Sequence, residues 1–274
     1  MSEPTEPRLS ATLLLARDGV EGLEFFMVVR HHEIDFASGA LVFPGGSIHA
    51  SDSDPRIIEL SDAPTGISPP ERALRVAAAR EAFEECGVLL ARRPGASDLV
   101  DGATANTLGD RYREPLEAGE IGMADIAEAA GLRLALDALV PFAHWITPTH
   151  MPKRFDTHFF VAAAPPDQVL LHDGREAVDS VWISPAVALA DGEAGRRTVI
   201  FPTRLNLEKA ARSTSVEALI ARTQASPVVT VMPRMELRDG VRIMHIPAEA
   251  GYGASQYEVI AGRAGAIPVR PRAD

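Results

Sequence analysis

Arg80-Glu81-Ala82-Phe83-Glu84-Glu85-Cys86-Gly87-Val88 is the stretch that decides this chain. On a helix, Glu81, Glu84 and Glu85 stand at i, i+3 and i+4, so their carboxylates share one face. Like charges placed in this way repel, and the arrangement is a poor way to stabilise a helix. A hard divalent cation, which prefers carboxylate oxygens and water, offsets that repulsion. Arg80 lies four residues before Glu84 and can hold it. An isolated Glu-Ala-Phe-Glu-Glu would read as a solvated acidic face. Two features argue against that here. The surrounding run, ALRVAAAREAFEECGVLL, is strongly apolar, and a glycine pair, Gly45-Gly46, lies upstream in a strand–loop–helix order.

Working outward, Ser68-Pro69-Pro70 is a helix start, a capping hydroxyl followed by prolines in the first turn. The helix is predicted to run to about Arg92, where Pro94-Gly95 ends it. Residues 47–70, rich in Ser, Asp and Pro, read as a long loop. It either covers the acidic face or is a tolerated surface insertion. Ahead of it, Ala11–Leu15 and Glu24–Val29 read as a hairpin, and Ala40–Phe43 as a short strand broken by Pro44-Gly45-Gly46. Beyond it, residues 103–136 read as a helical insertion in two or three pieces, broken at Gly119, Gly122 and Gly131. Strands are predicted at Leu139–Ile146, Thr157–Ala162 and Val181–Ile183. A short helix follows at Ser184–Ala190 and a longer one at Thr203–Thr223. Short strands near Val228–Met232 and Val241–Ile246 complete a C-terminal segment of about 203–262. Mixed strands and helices without a linker predict one α/β (α+β) domain over residues 1–274.

The formal net charge of −11 repels nucleic-acid backbones and argues against a polymeric DNA or RNA partner. It still admits a small phosphorylated substrate, because a divalent metal reverses the local field. The lone cysteine, Cys86, permits no internal disulfide, and within an apolar helix it reads as packing rather than a nucleophile. MSEPTEPRLS has neither a basic start nor an apolar stretch, and no apolar run approaches the roughly 20 residues that span a bilayer. The expectation is a cytoplasmic protein with no membrane partner.

The segment Arg80–Val88 resembles the second half of the Nudix box, G-x5-E-x7-R-E-U-x-E-E-x-G-U, where U is a bulky aliphatic residue. Arg80, Glu81, Glu84, Glu85 and Gly87 match R-E-x-x-E-E-x-G in full; Val88 is the last U and Ala82 a small first U. Phe43-Pro44-Gly45-Gly46 resembles the entry to the box. From Gly46 to Arg80 the step is 34 residues where the standard box has 14, so the loop carries about 20 extra. Counted back from Arg80, the box's first Glu falls at Arg72, with Glu71 the nearest acid, and that position is left unassigned. His144-Trp145-Ile146-Thr147-Pro148, then Lys153-Arg154-Phe155-Asp156-Thr157-His158-Phe159-Phe160, then Trp182-Ile183-Ser184-Pro185, are similar to a Nudix subgroup with a lengthened box. That subgroup includes the peroxisomal coenzyme A diphosphatases.

The resemblance implies a Nudix α/β/α sandwich with a mixed sheet and a helical insertion. It implies metal-dependent hydrolysis of a diphosphate linkage in a nucleotide-like molecule, with coenzyme A or acyl-coenzyme A preferred. ADP-ribose, dinucleotides and nucleoside triphosphates stay open. It further implies Mg²⁺ or Mn²⁺ held by Glu81, Glu84, Glu85 and the Gly45 carbonyl, with Arg80, Glu84 and Glu85 in the catalytic set and one glutamate able to serve as base. Glu176 is the candidate for an extra acid, although a loop surface acid reads as well. Arg30, Lys153 and Arg154 are candidates for substrate phosphates, each also readable as a solvated cation. His31, His32 and His158 are unassigned, and no H-x-x-x-H or Cys-His spacing suggests structural zinc. A homodimer is implied by resemblance only. A catalytically silent nucleotide sensor is the competing class, disfavoured because all three box glutamates are present. An interaction protein built on the insertion has no positive support.

Overall fold

The computed structural model describes residues 5–30, 39–168, 177–259 and 269–272. The chain opens with strand β1 (Arg8–Gly19) and its hairpin partner β2 (Gly22–Arg30), followed by the short strands β3 (Leu41–Val42) and β4 (Gly45–Ser47). Two 3-10 turns, Ala50–Ser53 and Pro55–Ile58, lead through β5 (Ser61–Asp62) into helix α1 (Pro69–Cys86). Next come β6 (Ala91–Arg92), α2 (Gly102–Glu117), α3 (Met123–Ala130) and β7 (Arg133–Ala135). The strands β8 (Val140–Ile146), β9 (Phe155–Ala163) and β10 (Ala177–Ile183) follow, then the helices α4 (Pro185–Glu193), α5 (Phe201–Ala210) and α6 (Val216–Gln224). Five strands close the chain: β11 (Thr230–Val231), β12 (Arg234–Arg238), β13 (Val241–His245), β14 (Gln256–Val259) and β15 (Val269–Pro271).

The main sheet has the order β10-β2-β1-β9-β8-β11, with β3 on β2 and β4 on β1. It is mixed: β1 with β9 and β8 with β11 are parallel, and its other pairs are antiparallel. β1 is buried on both faces, which explains its unbroken apolar run. Ala11, Leu13 and Leu15 meet Leu74, Ala77, Ala78 and Ala82 of α1, while Leu14 and Ala16 join the opposite core with Leu205 and Leu207 of α5 and Leu219 of α6. This is the expected α/β/α arrangement. The insertion adds a further layer: Val76, Ala79 and Phe83 on the outer side of α1 pack with Ala105 and Leu116 of α2 and with Met123, Ile126 and Ala127 of α3. α1 is therefore covered on both sides, and every residue from Ala73 to Cys86 is buried.

Its ends follow from local chemistry. The Ser68 hydroxyl accepts the Glu71 N–H, and the Glu71 carboxylate accepts the Ser68 N–H, a reciprocal cap. The helix does not reach Arg92. Gly87 takes a left-handed conformation (φ 71°), and its N–H closes onto Ala82 and Phe83 carbonyls, so the helix ends at Cys86 and Ala91–Arg92 pair with β7. The predicted helix over Thr203–Thr223 is two helices, because the Ser215 hydroxyl accepts the Ala218 N–H and starts a second one. β12 to β15 form a separate antiparallel sheet, of which sequence periodicity marked only β13. Among the described residues, no helix is long and apolar enough to cross a membrane.

Phe83 is fully buried between α1 and the insertion. Phe83→Ala is expected to cost about 3–5 kcal/mol of unfolding free energy, read from urea denaturation, with no charged group disturbed.

Candidate active site

The site begins with a divided edge. β2 pairs with β1 only from Ala16 to Gly19, and the other half of that edge, Ser10–Thr12, is taken by β4. This returns Gly45 and Gly46 to the centre of the molecule, beneath α1. Neither position has room for a side chain. A Cβ on Gly45 would stand 2.5 Å from the Ala11 carbonyl oxygen, and one on Gly46 would overlap the Glu81 carboxylate. With that space clear, the Gly45 N–H donates to Glu85 Oε2 at 3.2 Å.

Arg80 organises the acids. Its Nε and Nη2 donate to Asp52 Oδ1 and Oδ2 at 2.9 and 3.1 Å, a bidentate pair. Nη1 donates to Glu81 Oε1 at 2.9 Å and to Glu84 Oε2 at 2.7 Å, and Nη2 also reaches the Ser47 carbonyl at 2.8 Å. Arg80 and Asp52 side chains are each only 1% exposed. Burial works against the guanidinium charge, but Glu81, Asp52 and Glu84 outweigh it and hold its pKa above the ordinary value. Asp52 is itself aimed by the His49 N–H, which donates to Oδ2 at 2.8 Å. From the other side, Arg113 of α2 donates through Nε and Nη2 to the Glu84 carbonyl, capping the end of α1 with the insertion.

Glu81, Glu84 and Glu85 are 7–8% exposed. Burial, with Asp52 and Glu117 adding to it and Arg80 opposing it, pushes the Glu84 carboxyl up to about 7. Glu84 Oε1 is buried without a hydrogen-bond partner among the described residues. Such an oxygen is costly to leave unsatisfied. Here it sits among carboxylates that one guanidinium does not neutralise. Hard oxygen donors in excess negative charge, with one oxygen unsatisfied, fit a divalent cation.

Asp52 was not among the residues singled out by sequence, and the signal for it was available. Counting back from Arg80 gives Arg72; counting six forward from Gly46 gives Asp52, an acid. The extra residues therefore lie between Asp52 and Arg80, not before the first acidic position. Glu71, the nearest acid to the other count, is occupied with capping α1. Segment 47–70 is a working part of the site, since its first 3-10 turn delivers Asp52 to Arg80.

Arg154 does not join the acids. Arg154 is buried at the start of the Lys153–Phe160 motif and donates to the Thr147 and Thr5 carbonyls at 3.0 and 2.7 Å, a clamp on neighbouring backbone. Lys153 is exposed. Arg30 ends β2, and its side chain, like Glu176, His31 and His32, lies outside the described residues. His158 faces α1's side of the sheet with His144 and Asp156. Burial and the neighbouring His144 hold its imidazole down to about 4.

The family model for the NUDT19 Nudix domain matches residues 62–202, more than half of the chain. The chain belongs to the Nudix family. The match starts after Asp52, so the family's sequence pattern covers α1 while the glycine pair and Asp52 are joined to it by the fold. This Nudix chain is 25% identical over 207 residues to the acyl-coenzyme A diphosphatase NUDT19 of Xenopus laevis, covering 61% of this chain and 54% of that protein. It is 29% identical over 216 residues to the human protein of the same name, covering 61% and 55%. A putative nudix hydrolase 7 of Caenorhabditis elegans is 25% identical over 193 residues, covering 69% and 55%. The chain thus spans about half the length of the curated relatives it matches. Among solved structures, a NUDIX hydrolase from Alicyclobacillus acidocaldarius superposes with a TM-score of 0.65 at 25% identity, covering 79% of this chain and 96% of that one.

Removing one partner of a buried ion pair leaves the other uncompensated. Asp52→Ala is expected to cost about 3–5 kcal/mol in urea denaturation, with Asp52→Asn costing less because its amide oxygen still accepts from Arg80.

Proposed function

We propose that the chain is a metal-dependent Nudix diphosphatase, using Mg²⁺ or Mn²⁺, that cuts the diphosphate linkage of coenzyme A or an acyl-coenzyme A. The observation that carries this reading is the convergence of Glu81, Glu84 and Glu85 beneath the Gly45–Gly46 backbone, with Glu84 Oε1 unsatisfied. The relatives named acyl-coenzyme A diphosphatase support the substrate class. We read residues 1–274 as one catalytic unit, because α1 is shared by the sheet core and the insertion core.

Hydrolysis adds water across a P–O–P linkage, giving 3′-phosphoadenosine 5′-phosphate and a phosphopantetheine species. It needs a water made nucleophilic and negative charge neutralised. The bound cation would lower the pKa of water and screen the phosphoryl oxygens. Glu81, Glu84 and Glu85 would hold it, with the Gly45 carbonyl as a backbone donor. Arg80 keeps two of the three carboxylates in place by direct hydrogen bonds and is itself fixed by Asp52. It is a positioning residue, since its donors are engaged by protein oxygens. Glu84, whose Oε1 has no hydrogen-bond partner among the described residues, would offer that oxygen to the cation, and one of the glutamates would serve as base.

Product analysis on coenzyme A, acetyl-coenzyme A, NADH, ADP-ribose, diadenosine polyphosphates and dNTPs, with Mg²⁺ or Mn²⁺, tests the proposal. Metal-dependent cleavage of coenzyme A or its thioester is expected. Glu85→Gln should lower it by roughly 100-fold or more, beyond the 10- to 100-fold typical of partners outside the ligand set. Cleavage of a different compound would keep the chemistry and discard the substrate. Tight nucleotide binding with no turnover would replace the enzyme by a sensor.

A further inference from the structure

A second group of metal-type ligands lies outside the glutamate cluster, and the strand register builds it. On β8 and β9, His144 stands directly opposite His158, and Asp156 is two residues before His158 on the same face. The two imidazoles stack at 4.0 Å between centroids, 19° from parallel. His144 Nε2 lies 2.5 Å from Asp156 Oδ1, and His158 Nε2 lies 3.7 Å from the same oxygen. One ligand atom from each of the three residues falls within 4.8 Å of the others.

A histidine–aspartate hydrogen bond alone accounts for His144 and Asp156. It does not account for His158, whose Nε2 lies 3.7 Å from the same oxygen, beyond hydrogen-bond reach. Ligands at about 2.0–2.2 Å from a tetrahedral zinc ion stand roughly 3.4 Å apart and each imidazole holds the ion in its own plane, so one ion is admitted once the closest pair opens by about 1 Å and the stacked rings turn apart. The outer support is present too: Thr230 Oγ1 is 2.8 Å from His144 Nδ1 and fixes the ring with Nε2 turned inward. The three side chains are 15%, 26% and 30% exposed, so the cluster is reachable from solvent.

The geometry points to a second cation site, formed by His144, Asp156 and His158, that takes a divalent transition metal of the zinc class with one position left for water or a substrate oxygen. Two imidazoles and one carboxylate favour such ions over Mg²⁺, which prefers an all-oxygen set. The site is distinct from the glutamate cluster. Gly46, Ala11, His158 and His144 form one row across β4, β1, β9 and β8, so His158 is two strands, roughly 10 Å, from the glycine that Glu81 packs against. It lies toward the start of α1, where Glu71 acts electrostatically on His158.

The test is calorimetric titration of the full chain with Zn²⁺ in excess Mg²⁺, which occupies the glutamates. One equivalent is expected to bind the wild type and Glu85→Gln alike, and His158→Gln and Asp156→Asn should each weaken it by more than about tenfold. On the wild type alone, Zn²⁺ should shift the ring proton resonances of His144 and His158, which keeps the proposal testable if a variant fails to fold. Absence of Zn²⁺ binding in excess Mg²⁺ would overturn it. So would binding unchanged in His158→Gln, binding lost in Glu85→Gln, or unshifted His144 and His158 resonances.

Discussion

A single buried guanidinium sets the terms of this structure. Arg80 has almost no contact with solvent, yet it carries a full charge into the space between the sheet and α1. Burying a charge costs several kcal/mol unless the surroundings replace its hydration. Here the replacement is complete at the fork: Asp52 takes two donors, Glu81 and Glu84 share a third nitrogen, and the Ser47 carbonyl takes the rest. The partners come from three parts of the chain: Ser47 from β4, Asp52 from the first 3-10 turn, and Glu81 and Glu84 from α1 itself. Satisfying Arg80 therefore requires β4, the first 3-10 turn and two turns of α1 to be in place together.

The arrangement over-supplies negative charge. Asp52, Glu81 and Glu84 touch one cation, and Glu85 stands beside them against the Gly45 N–H. In a protein built for stability alone this would be a defect, since apolar residues would fill the space at lower cost. The insertion makes it tolerable by covering the far side of α1, fixing Phe83 and Val76 in a second core and tying Arg113 to the Glu84 carbonyl. The helix that bears the acids is thereby rigid on both sides. Rigidity of that kind is what a preorganised charge site needs.

Much of this was legible in the sequence for definite reasons. Ser68 and the prolines are local signals, and the apolar run of β1 announces a strand. The spacing of Glu81, Glu84 and Glu85 announces their common face. What was missed is non-local. Asp52 lies in a Ser/Asp-rich stretch where composition says loop, and only its distance from Gly46 distinguishes it. The end of α1 was set too late because Val88–Leu90 continue the apolar run while changing from helix to extended chain. His144 and His158 are 14 positions apart, and strand register alone makes them neighbours. Arg154 carries a charge that suggests phosphate, but its donors hold backbone carbonyls instead.

Mn²⁺ binding followed by electron paramagnetic resonance reads most directly whether the glutamates of α1 seat a divalent cation beside Arg80. Titrations of the wild type and of Glu84→Gln, which keeps shape and removes one charge, should differ by roughly tenfold or more in affinity. Equal affinity in the two proteins would mean that Glu84 Oε1 is not a ligand, and that the carboxylate cluster serves only to satisfy Arg80.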